Sequence, residues 1–402
     1  MKILFLAHRI PYPPDKGEKI RAFHELKFLG VRHTVDLYCF AESEAEASEQ
    51  VALRKYCRRI YVETRSRIKT VTGAARSFLR GEPLSCGCFF SHRFQAEVER
   101  ALATESYDVI FVYCSSMAQY IPWPLVTPLV MDFVDIDSAK WNQYAKRSGP
   151  PLSWVYNREA RELAAYEKQW ARVSSSTMVT TRQEAALLRG EGIRPIEVVS
   201  NGVEIPSPRA VELPLGIRTL HPYALFVGTM DYLPNVDAVE YFVEDILPRV
   251  RERHPELKFV IVGRNPTRRV RKLGRKPGVV VTGAVPEVET YLAGCTAVVA
   301  PFRIAQGIQN KVLEALAASK PIVSTSGPAA AIAAKHGETL LIADTVEDFA
   351  DALVALLEDP TLYRRFSKGA EFVRKYFSWH ENLSHLEQLL LQAAGSCVAT
   401  TR

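Results

Sequence analysis

Short, continuous apolar runs separated by helix-length segments most strongly limit how this sequence can fold. These runs lack the polar–apolar alternation of a half-exposed strand, so both faces of each predicted strand must be buried. In the first half of the chain they are KILFLA (2–7), TVDLYCF (34–40), RRIYVET (58–64), YDVIFVYC (107–114), PLVMDFVD (128–135) and STMVTT (176–181). Strands of this kind alternating with helices predict a parallel sheet covered on both faces.

The same pattern begins again after a segment with turn chemistry. IEVVSNGVEIPSP (196–208) contains Asn-Gly and two prolines, and little periodicity follows up to His221. Six further strands are predicted at 223–230, 257–263, 278–285, 296–302, 320–327 and 339–344. The 402 residues are also typical of two domains. We therefore predict an α/β protein with two doubly wound, Rossmann-like domains facing a central cleft, residues 1–204 and 205–376.

Composition narrows the possible partners. The net charge of +6 is mildly basic, which suits phosphate-bearing ligands or an anionic membrane surface. No basic stripe interleaved with aromatic residues occurs, so a nucleic-acid partner is not expected. Arg54–Arg80 holds nine basic residues against Glu63 alone, and a solvated surface and a contact with lipid headgroups both stay open for it. The second basic run, 268–276, is interpreted as a solvated helix face.

Cysteine usage and hydropathy indicate the compartment. The seven cysteines are scattered, which fits reduced thiols, and Cys86-Gly87-Cys88 lacks a second pair at zinc spacing. The first residues lack the apolar core of a secretion signal, and no run approaches the length of a membrane span. We expect a cytoplasmic protein, with contact at the inner membrane face as an additional option.

Polar residues that follow predicted strands are the candidate site residues, because parallel sheets bind ligands at the carboxyl ends of their strands. In the helix predicted from about residue 308, Gly307, Lys311 and Glu314 share one face, away from the apolar residues. Lys311 and Arg303 could hold a diphosphate at the helix start, and Glu314 could accept ribose hydroxyls. The alternative is a Lys–Glu pair on a solvated face.

A cluster of acidic residues follows the strand at 128–135. Asp132, Asp135 and Asp137 could hold a divalent metal, or one of these carboxylates could act as a base or orient an acceptor hydroxyl. The alternative is that Asp137 or Ser138 caps a helix. The sequence contains neither G-x-G-x-x-G nor a Walker A motif, which argues against nicotinamide dehydrogenases and P-loop NTPases.

Several of these segments together resemble one family. FVGTMDYLPNVDAV, IVGRNP, VVVTGAVPEVETYLAGCTAVVAPFR, SNGVE and GIQNKVLEALAASKPIVST resemble the GT-B-fold glycosyltransferases of family 4, the glycosyl transferases group 1. The last of these and HRIPYPPDKGEKIR look like the sugar transferases of PEP-CTERM/exosortase exopolysaccharide systems.

The resemblance implies a retaining sugar transfer without metal ion or other cofactor. The C-terminal domain would bind a nucleoside-diphosphate sugar and the N-terminal domain a glycan or lipid-linked acceptor. The last helix, within 377–402, would cross back to the first domain.

The resemblance also carries over to individual residues. Glu314 matches the second Glu of the family's E-x7-E pattern, whereas Gln306 stands where the first Glu is expected. The loop TMDYLPN lacks the Arg and Lys that often grip the diphosphate, so Arg303 and Lys311 are expected to replace them. The donor-binding residues implied are Gly228, Thr229, Arg303, Gly307, Asn310, Lys311 and Glu314.

The remaining roles implied by the resemblance are catalysis and acceptor binding. Asp135 and Gln306 are the catalytic candidates, and Gly17 and Arg21 are the acceptor-binding candidates. Two other functions stay open: a nucleotide-sugar 2-epimerase of the same fold, and a non-catalytic subunit that binds a nucleotide sugar.

Overall fold

The computed structural model describes residues 1–124, 126–206, 213–366 and 368–400. The chain divides into two compact units. One contains Met1–Ser200 and the chain from His380 onward, and the other contains Asn201–Trp379. Part of the segment predicted to have little structure, residues 207–212, lies outside the described residues.

The first unit is built on a seven-stranded sheet in the order β3-β2-β1-β4-β5-β6-β7. All of its strand pairs are parallel. The strands are β1 (Lys2–Ala7), β2 (Thr34–Ala41), β3 (Arg59–Thr64), β4 (Val109–Tyr113), β5 (Leu129–Asp132), β6 (Ser176–Val179) and β7 (Ile196–Val198). β1 is central: Ile3 pairs with Val35 on one side and Val109 on the other, and Ile3–Ala7 are fully buried.

Helices cover this sheet. They are α1 (Gly17–Arg32), α2 (Glu44–Ser48), α3 (Arg67–Arg80), α4 (Leu84–Cys88), α5 (His92–Thr104), α6 (Asp137–Arg147), α7 (Leu152–Val173) and α8 (Arg182–Gly190), with 3-10 turns at Glu49–Leu53 and Ser115–Tyr120. The side chains of Ser66, Ser91 and Thr181 accept backbone N–H groups and so cap α3, α5 and α8.

The second unit has a six-stranded sheet, again parallel throughout, in the order β10-β9-β8-β11-β12-β13. The strands are β8 (Tyr223–Val227), β9 (Lys258–Val262), β10 (Val279–Gly283), β11 (Ala297–Ala300), β12 (Ile322–Ser324) and β13 (Leu341–Ile342). The predicted α/β class with two doubly wound parallel sheets is confirmed.

The second unit carries most of the remaining helices. They are α9 (Leu215–Arg218), α10 (Leu233–Tyr241), a π-turn (Phe242–Ile246), α11 (Leu247–Arg253), α12 (Arg268–Leu273), α13 (Val288–Gly294), α14 (Asn310–Ala317), α15 (Ser326–Ala331), α16 (Val346–Glu358), α17 (Pro360–Phe366) and α18 (Gly369–Tyr376). α19 (Trp379–Thr400) follows and belongs almost wholly to the first unit. Its Glu387 Oε1 lies 2.8 Å from Nε2 of His33, the residue that follows α1.

Two elements differ from the sequence-based expectation. β7 lies in the segment predicted to form turns. Its three residues, which precede Asn201-Gly202, form a strand because they pair with β6. β5 ends at Asp132, earlier than predicted, because the Asp132 carboxylate accepts the N–H of Val134 at 2.9 Å and turns the chain. In the part of the chain that the structure describes, no helix is both long enough and apolar enough to cross a membrane.

Candidate active site

The strand order of the second unit marks its candidate site. The chain builds β8, β9 and β10 outward in one direction and then returns to place β11 on the other side of β8. In such sheets the crevice at this reversal, beyond the carboxyl ends of the strands, is where ligands bind. Gly228 follows β8 there, and Pro301 follows β11.

The Lys311 side chain extends to this point from α14. Val312, Leu313 and Leu316 pack into the core, which turns Lys311 to the other side of the helix. Its ammonium Nζ donates to Asn235 Oδ1 at 2.6 Å. It also lies 4.5 Å from the ring centroid of Phe226 and 4.8 Å from that of Phe302. Two aromatic faces and an amide oxygen therefore hold the amine in a fixed position.

Gly228 and Asn235 complete this arrangement. A Cβ on Gly228 would lie 2.7 Å from Lys311 Nζ and 2.7 Å from Asn235 Nδ2, so only glycine leaves both groups in place. Asn235 is buried and donates from Nδ2 to the carbonyl of Thr229 at 2.9 Å. It thus fixes the loop after β8 and the lysine amine together. Asn235 was not predicted from the sequence, although the absence of cations in TMDYLPN was a signal that another polar group had to organise this loop.

The ionisation of Lys311 and Glu314 is set mainly by burial. Burial lowers the pKa of Lys311 to about 7, and the negative charge of Glu314 opposes this shift. Burial raises the pKa of Glu314, and Lys311 opposes that shift. The predicted alternative, a Lys–Glu ion pair on a solvated face, is not observed among the described residues, where the Glu314 carboxylate has no hydrogen bond or ion pair. Its oxygens are therefore available to a ligand.

Arg303 is already engaged by a carboxylate. Its Nε and Nη2 donate to the two oxygens of Asp237 at 3.1 and 2.6 Å, and its guanidinium lies 4.6 Å from the ring centroid of Tyr241. Arg303 would have to exchange Asp237 for a phosphate to act as predicted.

The other candidates in this unit lie at the start of α14. Gly307 has φ of +63°, a backbone conformation that favours glycine. The Gln306 carbonyl accepts Gln309 Nε2 at 3.2 Å. Asn310 Oδ1 accepts Asn201 Nδ2 at 2.9 Å, which ties the SNGVE segment to this helix.

The first unit has a corresponding reversal between β1 and β4, and His8 lies there. The ring of His8 is buried, stacked on Tyr113 at 5.9 Å between centroids and against the edge of Phe89 at 5.4 Å. Its Nδ1 has no hydrogen-bond partner within the described residues. Burial, with positive charge from Arg9, lowers the pKa of His8 well below its ordinary value, so the ring is neutral at pH 7.

The backbone at these strand ends is strained. Cys114 after β4 has φ of +73°, and Val134 after β5 has φ of +63°. A β-branched residue with positive φ is rare and persists only where the surrounding structure imposes it.

Arg21, predicted to bind the acceptor, lies in the interior of the first unit. Its side chain is fully buried, with Nε 2.8 Å from Asp132 Oδ2 and 3.0 Å from Glu25 Oε1, and Nη1 donates to the carbonyl of Val199 at 2.8 Å. The predicted acceptor-binding arginine is thus placed as an internal cross-link of α1, β5 and the residue after β7. Gly17, the other acceptor candidate, is exposed at the start of α1.

The acidic cluster after β5 has three different environments. Burial and the negative charge of Glu184 raise the pKa of Asp135 well above its ordinary value. Asp137 pairs with Lys140. The predicted cap by Asp137 or Ser138 is not formed, because the N-cap of α6 is Ile136. The carboxylate of Glu167 instead accepts both the backbone N–H of Ser138, at 3.2 Å, and its hydroxyl. Among the described residues, no group of three or more His, Cys, Asp or Glu side chains could hold a metal ion.

One segment of the second unit is similar to a known family. Residues 221–359 match the family model described as glycosyl transferases group 1. Gly228, Asn235, Arg303, Lys311 and Glu314 all lie within this matched segment.

Solved structures extend the likeness to nearly the whole chain. Sucrose-phosphate synthase from Thermosynechococcus elongatus superposes with a TM-score of 0.73 at 16% identity, covering 98% of this chain and 100% of that chain. HepE of Anabaena, in complex with UDP, gives a TM-score of 0.67 at 17% identity, covering 98% and 100%. This likeness establishes the fold, which is the GT-B fold.

A curated protein is also similar in sequence. It is an uncharacterized 44.6 kDa protein in the cps region of Klebsiella pneumoniae, 19% identical over 373 residues, covering 88% of this chain and 90% of that protein.

Proposed function

We propose that this protein is a group 1 glycosyltransferase that moves a sugar from a nucleoside-diphosphate sugar to a glycan or lipid-linked acceptor, with retention of configuration and without a metal ion. The proposed pathway is the synthesis of a cell-surface polysaccharide. The similar protein encoded in the Klebsiella cps region supports this pathway.

The lysine amine at the strand reversal of the second unit carries the proposal. Lys311 Nζ is held by Asn235 against Gly228, at the position where doubly wound sheets bind phosphates. When the bond between sugar and diphosphate breaks, negative charge develops on the diphosphate. A fixed cation at that place stabilises this charge as it forms, and the free N–H groups at the start of α14 add to the effect.

Glu314 fits the sugar of the nucleoside. It lies one helical turn beyond Lys311 on the same face, and its carboxylate has no partner among the described residues. A carboxylate can accept hydrogen bonds from two neighbouring hydroxyls, as a ribose presents them. Such bonds favour the charged carboxylate and would lower the raised pKa of Glu314.

The proposed chemistry needs no strong protein base. With retention, the acceptor hydroxyl attacks on the face from which the diphosphate leaves. The new glycosidic bond forms as the bond to the diphosphate breaks, and a phosphate oxygen takes the hydroxyl proton. Gln306 would then serve by hydrogen bonding to sugar hydroxyls, since an amide cannot act as a base.

Uridine is the first nucleotide to test. HepE, which shares the fold, has been solved with UDP and with UDP-glucose. We therefore propose a UDP-sugar as donor, with GDP and ADP sugars as the alternatives.

The decisive experiment is thermal unfolding with UDP, GDP and ADP, for the native chain and for Glu314→Gln. A ligand that binds only the folded state stabilises it by about 2.7 kcal/mol at a hundred times its Kd. We expect one nucleotide to raise Tm and the rise to shrink in Glu314→Gln. Glu338→Gln is the matched control, because Glu338 is an exposed carboxylate near Lys335 in the same unit. No rise with any nucleotide would refute the donor site.

A non-catalytic, nucleotide-sugar-binding subunit is the second candidate function. Gln306, at the position where the family pattern has a carboxylate, favours it. Product analysis with a UDP-sugar and a lipid-linked acceptor separates the possibilities. A new glycosidic bond supports the transferase, and binding without turnover supports the subunit. Conversion of the donor into an epimer without acceptor would instead indicate an epimerase.

A further inference from the structure

Helix α3 of the first unit has an inner face that fixes its orientation. Thr70, Gly73, Ala74 and Ser77 lie on this side. A Cβ on Gly73 would come within 2.1 Å of the carbonyl oxygen of Gly87, so α3 and α4 touch backbone to backbone. Such close packing needs small residues and leaves the opposite side of α3 pointing outward.

The outward side of α3 is apolar. Ile68, Val71, Phe78 and Leu79 are exposed to 77%, 68%, 50% and 85%. With Ala75, these residues recur at helical spacing and form one continuous stripe along the helix. Single exposed apolar residues are common on protein surfaces, but a stripe of four large ones indicates an interaction site.

One edge of this stripe is cationic. Lys69, Arg76 and Arg80 are exposed and lie about a third of a turn around the helix from the centre of the apolar stripe. The helix sequence RIKTVTGAARSFLR contains no acidic residue. The surface is therefore apolar along its centre and positive along its side.

Two further exposed apolar side chains lie near the start of α7. Arg158 donates to the carbonyls of Phe78 and Glu82 at 3.1 and 3.2 Å, which places the start of α7 beside the end of α3. Leu152 and Trp154, near the start of α7, are both largely exposed. Tryptophan is the side chain most suited to the boundary between headgroups and acyl chains.

We propose that this surface, formed by the apolar stripe and cationic edge of α3 with Leu152 and Trp154, binds an anionic lipid bilayer. Apolar side chains would enter the acyl boundary while the basic edge meets the headgroups, which is how interfacial amphipathic helices bind. The lack of acidic residues on α3 gives charge complementarity to an anionic surface along the whole helix. The inference rests on this exposed face and does not depend on the proposed sugar transfer.

Flotation of the full chain with lipid vesicles tests the proposal. We expect binding to phosphatidylcholine vesicles that contain phosphatidylglycerol, little binding to phosphatidylcholine alone, and loss of binding as salt rises. Lys69→Gln/Arg76→Gln/Arg80→Gln should weaken binding by about fivefold per charge, or about a hundredfold together. Ile68→Ser/Leu79→Ser should weaken it by at least about a hundredfold.

Matched controls locate the binding surface. Arg268→Gln/Lys272→Gln/Arg275→Gln removes the same number of exposed charges from the second unit, and Leu187→Ser/Leu215→Ser removes two exposed leucines elsewhere. These controls should bind as the native chain does, and all variants should melt like it because the changed side chains are exposed. Equal loss in controls and α3 variants would overturn the assignment to this surface.

Two other results would overturn the proposal itself. One is the absence of binding to anionic vesicles. The other is a concentration-dependent dimer in sedimentation that Ile68→Ser/Leu79→Ser abolishes while vesicle binding stays unchanged, since a second copy of the chain would then be the partner of this face.

Discussion

Replacement of Lys311 by glutamine gives the sharpest test of the donor site. Burial lowers the pKa of the Lys311 amine to about 7, so the free protein holds it about half charged at pH 7. A bound diphosphate would place negative charge beside the amine and restore its proton. Nucleotide binding should therefore take up protons, and its affinity should fall as pH rises above 7.

The size of the effect follows from the same pKa. At pH 9 about one free molecule in a hundred carries a charged Lys311, compared with about half at pH 7. If only the charged form binds well, the affinity for UDP falls about fiftyfold between these two pH values, or about 2.3 kcal/mol. At pH 7 each binding event should take up about half a proton.

Isothermal titration calorimetry measures both quantities. Titration of UDP at pH 7 in two buffers with different ionisation enthalpies gives the number of protons taken up. Titration at pH 8 and 9 then gives the change of affinity with pH. Lys311→Gln should bind UDP more weakly at pH 7, with little proton uptake. The proton uptake measured with Lys311→Gln also gives the contribution of the UDP phosphate itself, whose second ionisation lies near pH 6.

Two outcomes would refute this reasoning. An affinity of the native chain that stays constant from pH 7 to 9, without proton uptake, would show that Lys311 does not meet the diphosphate. An equal pH dependence in native chain and Lys311→Gln would assign the proton to another group. Lys335→Gln, which removes an exposed lysine of the same unit, is the control and should match the native chain.

Three further substitutions test the surrounding structure. Gly228→Ala should lower UDP affinity at least about tenfold while Tm changes little, because the new methyl group displaces the lysine amine at a flexible side-chain end; unchanged affinity would contradict the close approach. Arg303→Gln should change UDP affinity by less than about threefold, since Asp237 already holds Nε and Nη2 of Arg303; a loss as large as that of Lys311→Gln would show that Arg303 leaves Asp237 for the phosphate. Burial raises the pKa of Glu167 to about 8, so stability is greatest below the carboxyl's ordinary pKa and falls by up to about 1.4 kcal/mol per pH unit towards pH 8. Melting curves of Glu167→Gln at pH 5.5 and 8.5 should show a smaller difference in Tm than the native chain, and an equal difference would assign the pH dependence elsewhere.

The parallel sheets could be predicted because their strands are buried on both sides. β1 and β8 are continuous apolar runs, and burial of a run without alternation leaves few structural options. β7 could not be predicted in this way. Its three residues precede Asn-Gly, and only pairing with β6 makes them a strand. Short edge strands depend on a neighbour that the local sequence does not reveal.

The candidate site was predicted as far as local spacing allows. Lys311 and Glu314 were nominated because helical periodicity places them on one face. The contact between Lys311 and Asn235 joins residues 76 positions apart, and the pair between Arg303 and Asp237 joins residues 66 apart. Arg21 shows this limit more clearly, because a cation shortly after the loop that ends at Gly17 suggests an exposed ligand contact. Asp132, 111 residues away, accepts its Nε and keeps it inside the fold.

The ionisable groups at the two strand reversals differ in a way that bears on the proposed reaction. In the first unit Arg21 is balanced by Glu25 and Asp132, and burial keeps His8 neutral. The His8 ring is therefore uncharged, and its enclosed Nδ1 has no hydrogen-bond partner among the described residues. In the second unit burial lowers the pKa of Lys311 to about 7, and the nearby negative charge of Glu314 opposes this shift. A dianionic phosphate there would convert a poorly solvated amine into a paired cation. A sugar transfer needs both environments, because its donor carries the charge and its acceptor supplies the hydroxyl.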